Sequence, residues 1–255
     1  MVGDPVDHSL SPIIHRAAME LTGLDGEYTK QRADAEVLGQ AISRLRAGEL
    51  DGINVTMPLK RAAAGLCDRL DPQAQRTGSV NTIVRVGDRA IGHDTDVIAL
   101  KLALEEMPET APLLILGAGG AASSAAVAAG SRPTYVAGRR PGALQALAEA
   151  ANQAAAEVPW GVPVVGAVVV NATPLGMAGE ALPPGLLAVA GGLVDLVYGP
   201  KVTPAVEMAA DLGIPAVDGL SHLVRQAAAG FQLWTSRAGV EQAMMEAAKR
   251  TQEVG

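Results

Sequence analysis

Cysteine occurs once in the 255 residues, at Cys67, which excludes an intramolecular disulfide framework and fits a reducing compartment. Aromatic residues make up 2% of the chain, with a single Phe, so a core must be assembled from Ala, Val and Leu. Helices packed on a parallel sheet permit that. Charge is sparse at 18% against 49% hydrophobic residues, a balance that excludes a disordered chain. Basic residues are outnumbered, 20 Lys and Arg against 27 Asp and Glu, and the net charge of −7 speaks against a nucleic-acid partner. No apolar run reaches membrane-spanning length; the stretch 162–170 is broken by Pro163 and Gly166. No secretory leader stands at Met1, so a cytoplasmic location without a membrane partner is expected. The four histidines, His8, His15, His93 and His222, are scattered, and with no H-E-x-x-H and one thiol no catalytic metal is expected.

What is present begins with glycine. The apolar run Leu113-Leu114-Ile115-Leu116 leads into Gly117-Ala118-Gly119-Gly120-Ala121-Ala122, followed by an Ala-rich stretch from Ser123 to Ala129. Strand, glycine turn and helix in this order read as G-x-G-x-x-A, the phosphate grip of a dinucleotide fold. Gly117 permits the tight turn, Gly119 lets backbone approach a pyrophosphate, and the small third motif residue, Ala122, lets helix and strand pack closely. The helix N-terminus offers free N–H groups to the anion. A second apolar run, Thr134-Tyr135-Val136-Ala137, follows where a βαβ unit requires it. After it stand Gly138-Arg139-Arg140, with no acid to hold a ribose 2′-hydroxyl. Arg139 and Arg140 suit the 2′-phosphate of NADP, and a guanidinium also stacks on adenine.

The rest of the chain alternates short strands with helices. A helix is expected over 13–23, with Ser11 as a possible N-cap and Pro12 at its first position. Strands are expected over 52–55 and 80–86, and a helix over 96–107 ends before Pro108. Further strands are expected over 168–171, 193–197 and 214–217, the alternation of a doubly wound parallel sheet. Helices over 220–234 and 240–250 close the chain. The Gly-, Ala- and Pro-rich stretch 178–192 reads as a surface connection.

Four polar clusters sit on loops of the first half: His8-Ser9-Leu10-Ser11-Pro12, Asn54-Val55-Thr56-Met57-Pro58-Leu59-Lys60, Val80-Asn81-Thr82, and His93-Asp94-Thr95-Asp96. Their hydroxyls, amides, ammonium and carboxylates suit a small polyhydroxylated acid. Singly, each has a plain alternative: Ser11 a helix cap, Asn81 a turn residue, Lys60 a solvated lysine, Asp96 a cap of the helix after it.

Together these clusters, in order with Asn171-Ala172-Thr173-Pro174-Leu175-Gly176-Met177 and with Gly219-Leu220 through Gln226-Ala227-Ala228, resemble the signatures of shikimate dehydrogenases over nearly the whole chain. The resemblance implies an α/β chain of two domains. A substrate-binding, catalytic domain would comprise residues 1–98 and 225–255, and a Rossmann-like NADP-binding domain residues 99–224. It implies NADPH-dependent reduction of 3-dehydroshikimate to shikimate in aromatic amino-acid biosynthesis, with the protein a monomer or homodimer. By the same resemblance Ser9 and Ser11 hydrogen-bond the substrate carboxylate. Asn54, Thr56, Asn81, Asp96 and Gln226 hold ring hydroxyls, with Tyr198 nearby. Lys60 and Asp96 form the catalytic pair, and Thr173, Val197 and Gly219 join Gly117, Gly119, Gly120, Ala121, Arg139 and Arg140 around the cofactor.

The chain departs from that pattern in places. Asp94 stands where the family usually has Asn and Val97 where it often has Gly; a second carboxylate near Asp96 is expected to raise its pKa. Gly138 and Ala143 stand where the family usually has Asn and often a basic residue, which points to weaker hold on the adenine side, and Ser123 stands where it often has Arg. The start at Met1-Val2-Gly3 leaves little of the first strand, so either a start further upstream or a poorly supported N-terminal sheet is expected. Quinate or aminoshikimate dehydrogenases and a non-catalytic dinucleotide or shikimate sensor are the alternatives; another Rossmann reductase would leave Ser9 and Ser11 unexplained.

Overall fold

The computed structural model describes residues 1–138, 147 and 155–254; Arg139, Arg140 and Ala143 lie outside the described residues. The chain divides into two compact units, Met1–Thr95 with Val224–Gly255, and Asp96–Leu223.

In the first unit, β1 (Val2–Gly3) pairs in parallel with β2 (Gln31–Arg32), and Val2 also bridges to Val55. The first strand is therefore two residues long yet held on both sides: Thr56 N donates to Val2 O at 2.9 Å and Ala33 N to Gly3 O at 3.0 Å. Helix α1 (Ser11–Thr22) has Ser11 as its first residue, with Leu10 at the cap position and no side-chain cap. The Ser11 hydroxyl is thus released from the capping role that the sequence suggested. The helix stops at Gly23, whose φ of 63° is the left-handed conformation that glycine adopts without a Cβ penalty.

Helix α2 (Ala35–Arg46) starts where the Asp34 carboxylate accepts from Glu36 N and Val37 N, and it buries Leu38, Ala41, Ile42 and Leu45 on one face. That face closes a core with Ile53, Val55, Val80 and Ile83. Strands β3 (Gly52–Asn54), β5 (Thr82–Val86) and β6 (Arg89–His93) are antiparallel neighbours, and β4 (Arg69–Leu70) lies parallel to β6. Helices α3 (Lys60–Leu66) and α4 (Pro72–Thr77) lie between them in the chain. β5 begins at Thr82, two residues later than the apolar pattern placed it, which leaves Asn81 in irregular backbone.

The second unit is a six-stranded sheet in the order β12-β11-β10-β7-β8-β9, parallel throughout. Its strands are β7 (Leu113–Leu116), β8 (Thr134–Ala137), β9 (Ala156–Glu157), β10 (Val168–Asn171), β11 (Gly192–Asp195) and β12 (Ala216–Val217). Alternation along β7 sends Leu113 and Ile115 to one face, packed with Val97, Leu100 and Leu104 of α5 (Thr95–Glu105) and with Ala122, Ala125 and Ala126 of α6 (Gly120–Ala128). Leu114 and Leu116 point to the other face, against Leu193 and against Ala205 and Ala209 of α7 (Pro204–Leu212). Each such Leu or Ile, fully buried, contributes about 1.5–3 kcal/mol. The stretch 178–192 is not merely a surface connection, because Leu182, Leu186 and Leu187 are buried in this second layer. The chain leaves β7 toward β8 and later returns to place β10 on β7's other side. The order therefore reverses between β7 and β10, the position where open parallel sheets form their ligand crevice. Helices α8 (Gly219–Thr235) and α9 (Glu241–Val254) complete the fold, α9 packing on α1. Among the described residues no helix is long and apolar enough to cross a membrane.

Candidate functional site

In the first unit the polar residues include a serine pair and a separate network of amides and hydroxyls. Ser9 Oγ lies 3.1 Å from Ser11 Oγ and accepts from Ser11 N at 3.2 Å, so two hydroxyls stand together at the start of α1. Pro12 has no N–H there, and the amides of the helix start favour an anion. Asn54, the last residue of β3, donates through Nδ2 to Asn81 O at 3.1 Å and to Thr82 Oγ1 at 3.0 Å. Its Oδ1 accepts from Tyr28 Oη at 2.6 Å. Asn81 Oδ1 accepts from Thr95 N at 2.9 Å, and Asn81 Nδ2 reaches Gln226 Oε1 at 3.5 Å. Asn54 and Asn81 are 8% and 3% exposed, so nearly all of their polarity is spent on these contacts or on a ligand. Thr56 follows β3, its methyl over Gly3; a Cβ at Gly3 would sit 2.3 Å from Thr56 Cγ2. Lys60 opens α3 and is half-buried.

Behind this array lies an aromatic nest that the sequence did not reveal. His15 is buried and stacks face to face on Tyr28, ring centroids 4.2 Å apart, with Phe231 and Trp234 at 6.2 and 5.5 Å. Burial pushes the His15 imidazole down from 6.5 to about 3, which keeps it neutral. Trp234 Nε1 donates to Ile83 O at 3.0 Å, and Gly52 has no side chain because the indole fills that space.

The second unit holds Asp96, Tyr198 and the glycine turn. Asp96 lies in the first turn of α5, 4% exposed, its Oδ1 3.3 Å from Nε2 of His222, which is 8% exposed. No pattern in the sequence pairs these two, 126 positions apart. Gly117, with φ of 118°, lies so near the loop after β10 that a Cβ would come within 2.8 Å of Ala172 O. Gly119 precedes α6 with open space at its Cβ position, so backbone is bare where a phosphate would approach. The residues present fit a dinucleotide: a cradle that a Cβ would fill, opposite Thr173, beside a helix N-terminus.

A buried carboxylate organises the rim of this sheet. Asp195 accepts from Asn171 Nδ2 at 2.9 Å, Val197 N at 3.1 Å and Thr203 Oγ1 at 2.6 Å. Burial nevertheless pushes its pKa up. Asn171 in turn accepts from Thr173 Oγ1 at 2.6 Å. One network thus sets both Thr173 and Val197. Gly219 packs on the same loop, where a Cβ would meet Val197 O at 2.2 Å and Tyr198 N at 2.8 Å. Among the described residues no three His, Cys, Asp or Glu side chains gather as metal ligands would.

A parallel sheet with a glycine-lined switch point, joined to a second α/β unit carrying a buried polyamide and hydroxyl array, defines a two-domain dehydrogenase of the dinucleotide-binding class. Residues 1–83 match the model of the shikimate dehydrogenase substrate binding domain. The shikimate dehydrogenase (NADP(+)) of Citrifermentans bemidjiense is 38% identical over 97% of this chain and 92% of its own length. That of Anaeromyxobacter sp. is 40% identical over 97% and 94%. The crystal structure of shikimate 5-dehydrogenase from Thermus thermophilus in complex with NADP(H) and shikimate superimposes with a TM-score of 0.88 at 36% identity, covering 98% of this chain and 97% of that one. The chain belongs to the shikimate dehydrogenase family.

Proposed function

We propose that this chain catalyses the reversible NADPH-dependent reduction of 3-dehydroshikimate to shikimate, a step of aromatic amino-acid biosynthesis, in the cytoplasm. The observation that carries this reading is the first unit's array: paired serine hydroxyls at a helix start for a carboxylate, and two buried amides with Gln226 for ring hydroxyls. The second unit takes the cofactor along Gly117, Gly119, Gly120 and Ala121, with Thr173, Val197 and Gly219 at the rim of its sheet. Arg139 and Arg140 are assigned the 2′-phosphate on sequence grounds.

When bound, the reduced nicotinamide supplies the hydride. The chain's own residues must then handle charge and a proton. As the ketone carbon gains hydride, its oxygen becomes an alkoxide. The Lys60 ammonium stabilises that oxygen and gives it a proton, with Asp96 the carboxylate that pairs with Lys60; in the reverse reaction the neutral Lys60 amine takes the proton back. Lys60 and Asp96 belong to different units, and their meeting at the reacting oxygen is part of the proposal.

The test is direct. Purified protein is mixed with shikimate or quinate, each with NADP or NAD, and reduced nicotinamide is followed by absorbance. Turnover is expected with shikimate and NADP. Lys60→Ala is expected to lower kcat by about 10²–10⁴-fold while NADPH still binds, as general acid–base and charge-stabilising groups do. Near-normal turnover in that variant would refute the assignment.

A further inference from the structure

The amide array in the first unit has a definite polarity. Asn81 O is a backbone carbonyl and only accepts, so the Asn54 atom 3.1 Å from it must be Nδ2. Both Nδ2 protons are then committed, one to Asn81 O and one to Thr82 Oγ1. Asn54 Oδ1 therefore faces Tyr28, and since an amide oxygen only accepts, Tyr28 Oη donates. What Asn54 retains for a ligand is a lone pair. Asn81 is the converse. The atom 2.9 Å from Thr95 N must be Oδ1, and it also takes Thr95 Oγ1 at 3.1 Å and Thr82 Oγ1 at 3.2 Å. Its acceptor capacity is filled. What Asn81 retains is N–H, one directed at Gln226 Oε1 at the long distance of 3.5 Å.

We infer that Tyr28 is a specificity-determining residue that acts through Asn54, and that the Asn54–Asn81 pair reads a ring hydroxyl as donor and acceptor together. This rests on the proposed substrate. A hydroxyl donates to the lone pair of Asn54 and accepts from the N–H of Asn81. A ketone at the same place satisfies Asn81 and leaves Asn54 unmet, and a hydrogen satisfies neither. Tyr28 clamps the oxygen end of the Asn54 amide while Thr82 and Asn81 clamp the nitrogen end, so the amide cannot turn to suit another ligand. Tyr28 is itself held flat by His15, 4.2 Å away with the rings 6° from parallel. Both His15 nitrogens are without a hydrogen-bond partner, so its contribution is the stacking surface alone.

The experiment titrates wild type and Tyr28→Phe with shikimate and with two analogues, each lacking one of the two ring hydroxyls that is not oxidised. The Phe ring keeps the stack on His15 and removes only the donated bond. Tyr28→Phe is expected to weaken shikimate about tenfold, the effect of one hydrogen bond, with NADPH affinity unchanged. One analogue is expected to bind wild type and variant alike, because the hydroxyl that Asn54 reads is missing. Asn81→Asp, which keeps the bonds to Thr95 but replaces N–H by a second acceptor, is expected to weaken shikimate more than tenfold. Equal shikimate affinity in wild type and Tyr28→Phe, a loss that persists on both analogues, or wild-type affinity in Asn81→Asp would overturn the inference. Failure of the wild type to bind shikimate at all would instead overturn the proposed function.

Discussion

His15 shows what a single residue does in this fold. It is 1% exposed and its imidazole titrates near 3 rather than 6.5 because burial disfavours the charged form. The unfolded chain takes up that proton near pH 6.5 and the folded one does not. Its contribution to stability is therefore complete above about pH 6.5 and is lost progressively as pH falls toward 3, at ~1.4 kcal/mol per pH unit. His15→Phe, which keeps a flat ring against Tyr28, is expected to make urea midpoints fall less steeply over that range. Identical slopes in the two proteins would rule out His15 as the proton acceptor. At this scale the sequence exposed the residues whose chemistry is local: Ser9 and Ser11 two positions apart, or Asn54, Thr56 and Lys60 on one loop. It hid the contacts of Tyr28, Thr95 and His222, because each matters through a partner elsewhere along the chain. Ser11 looks like a cap because propensity ranks a serine before a proline as an N-cap, while the backbone begins its helix one residue earlier.

Among the elements, three strands of the parallel sheet were readable to the residue, whereas β11, expected over 193–197, runs Gly192–Asp195. β7 and β10 are four-residue runs rich in Leu, Ile and Val, β8 reads Thr-Tyr-Val-Ala, and the bounds of all three match the apolar runs that announce them. β6 escaped because it mixes a charged start with Gly92, which is glycine since a Cβ would come within 2.6 Å of Val80 Cγ2. The stretch 178–192 misled because glycine and proline mark turns, yet its leucines still fill the layer under the sheet. The turn after β7 carries the sharpest element-scale test. Gly117→Ala places a Cβ against Ala172 O at a φ of 118°, where L-residues are strained. A destabilisation of about 2–4 kcal/mol in urea melts is expected, with NADP affinity weakened at least tenfold. An unchanged melt would show that the loop after β10 yields to the methyl group.

At the scale of the molecule, each unit is packed on its own apolar residues, and each is assigned its own ligand. Saturation with either ligand is expected to stabilise the protein by about 2.7 kcal/mol at a hundred times its dissociation constant. Hydrogen exchange then separates the roles. NADPH alone is expected to protect amides of β7 and the start of α6, and shikimate alone those around Asn54 and Asn81. Protection of the first unit by NADPH would reverse the assignment. Composition and order along the chain were enough to specify a nearly aromatic-free α/β protein, a glycine turn between strand and helix, and a family. Those properties follow from residue type and short-range spacing, which a linear text preserves. The polarity of the Asn54 and Asn81 amides, the neutral His15 under Tyr28, the carboxylate of Asp195 joining Thr173 to Val197, and the pairing of Asp96 with His222 came from folding alone. Each depends on which donor meets which acceptor across dozens of residues, and hydrogen bonding is settled by distance in space.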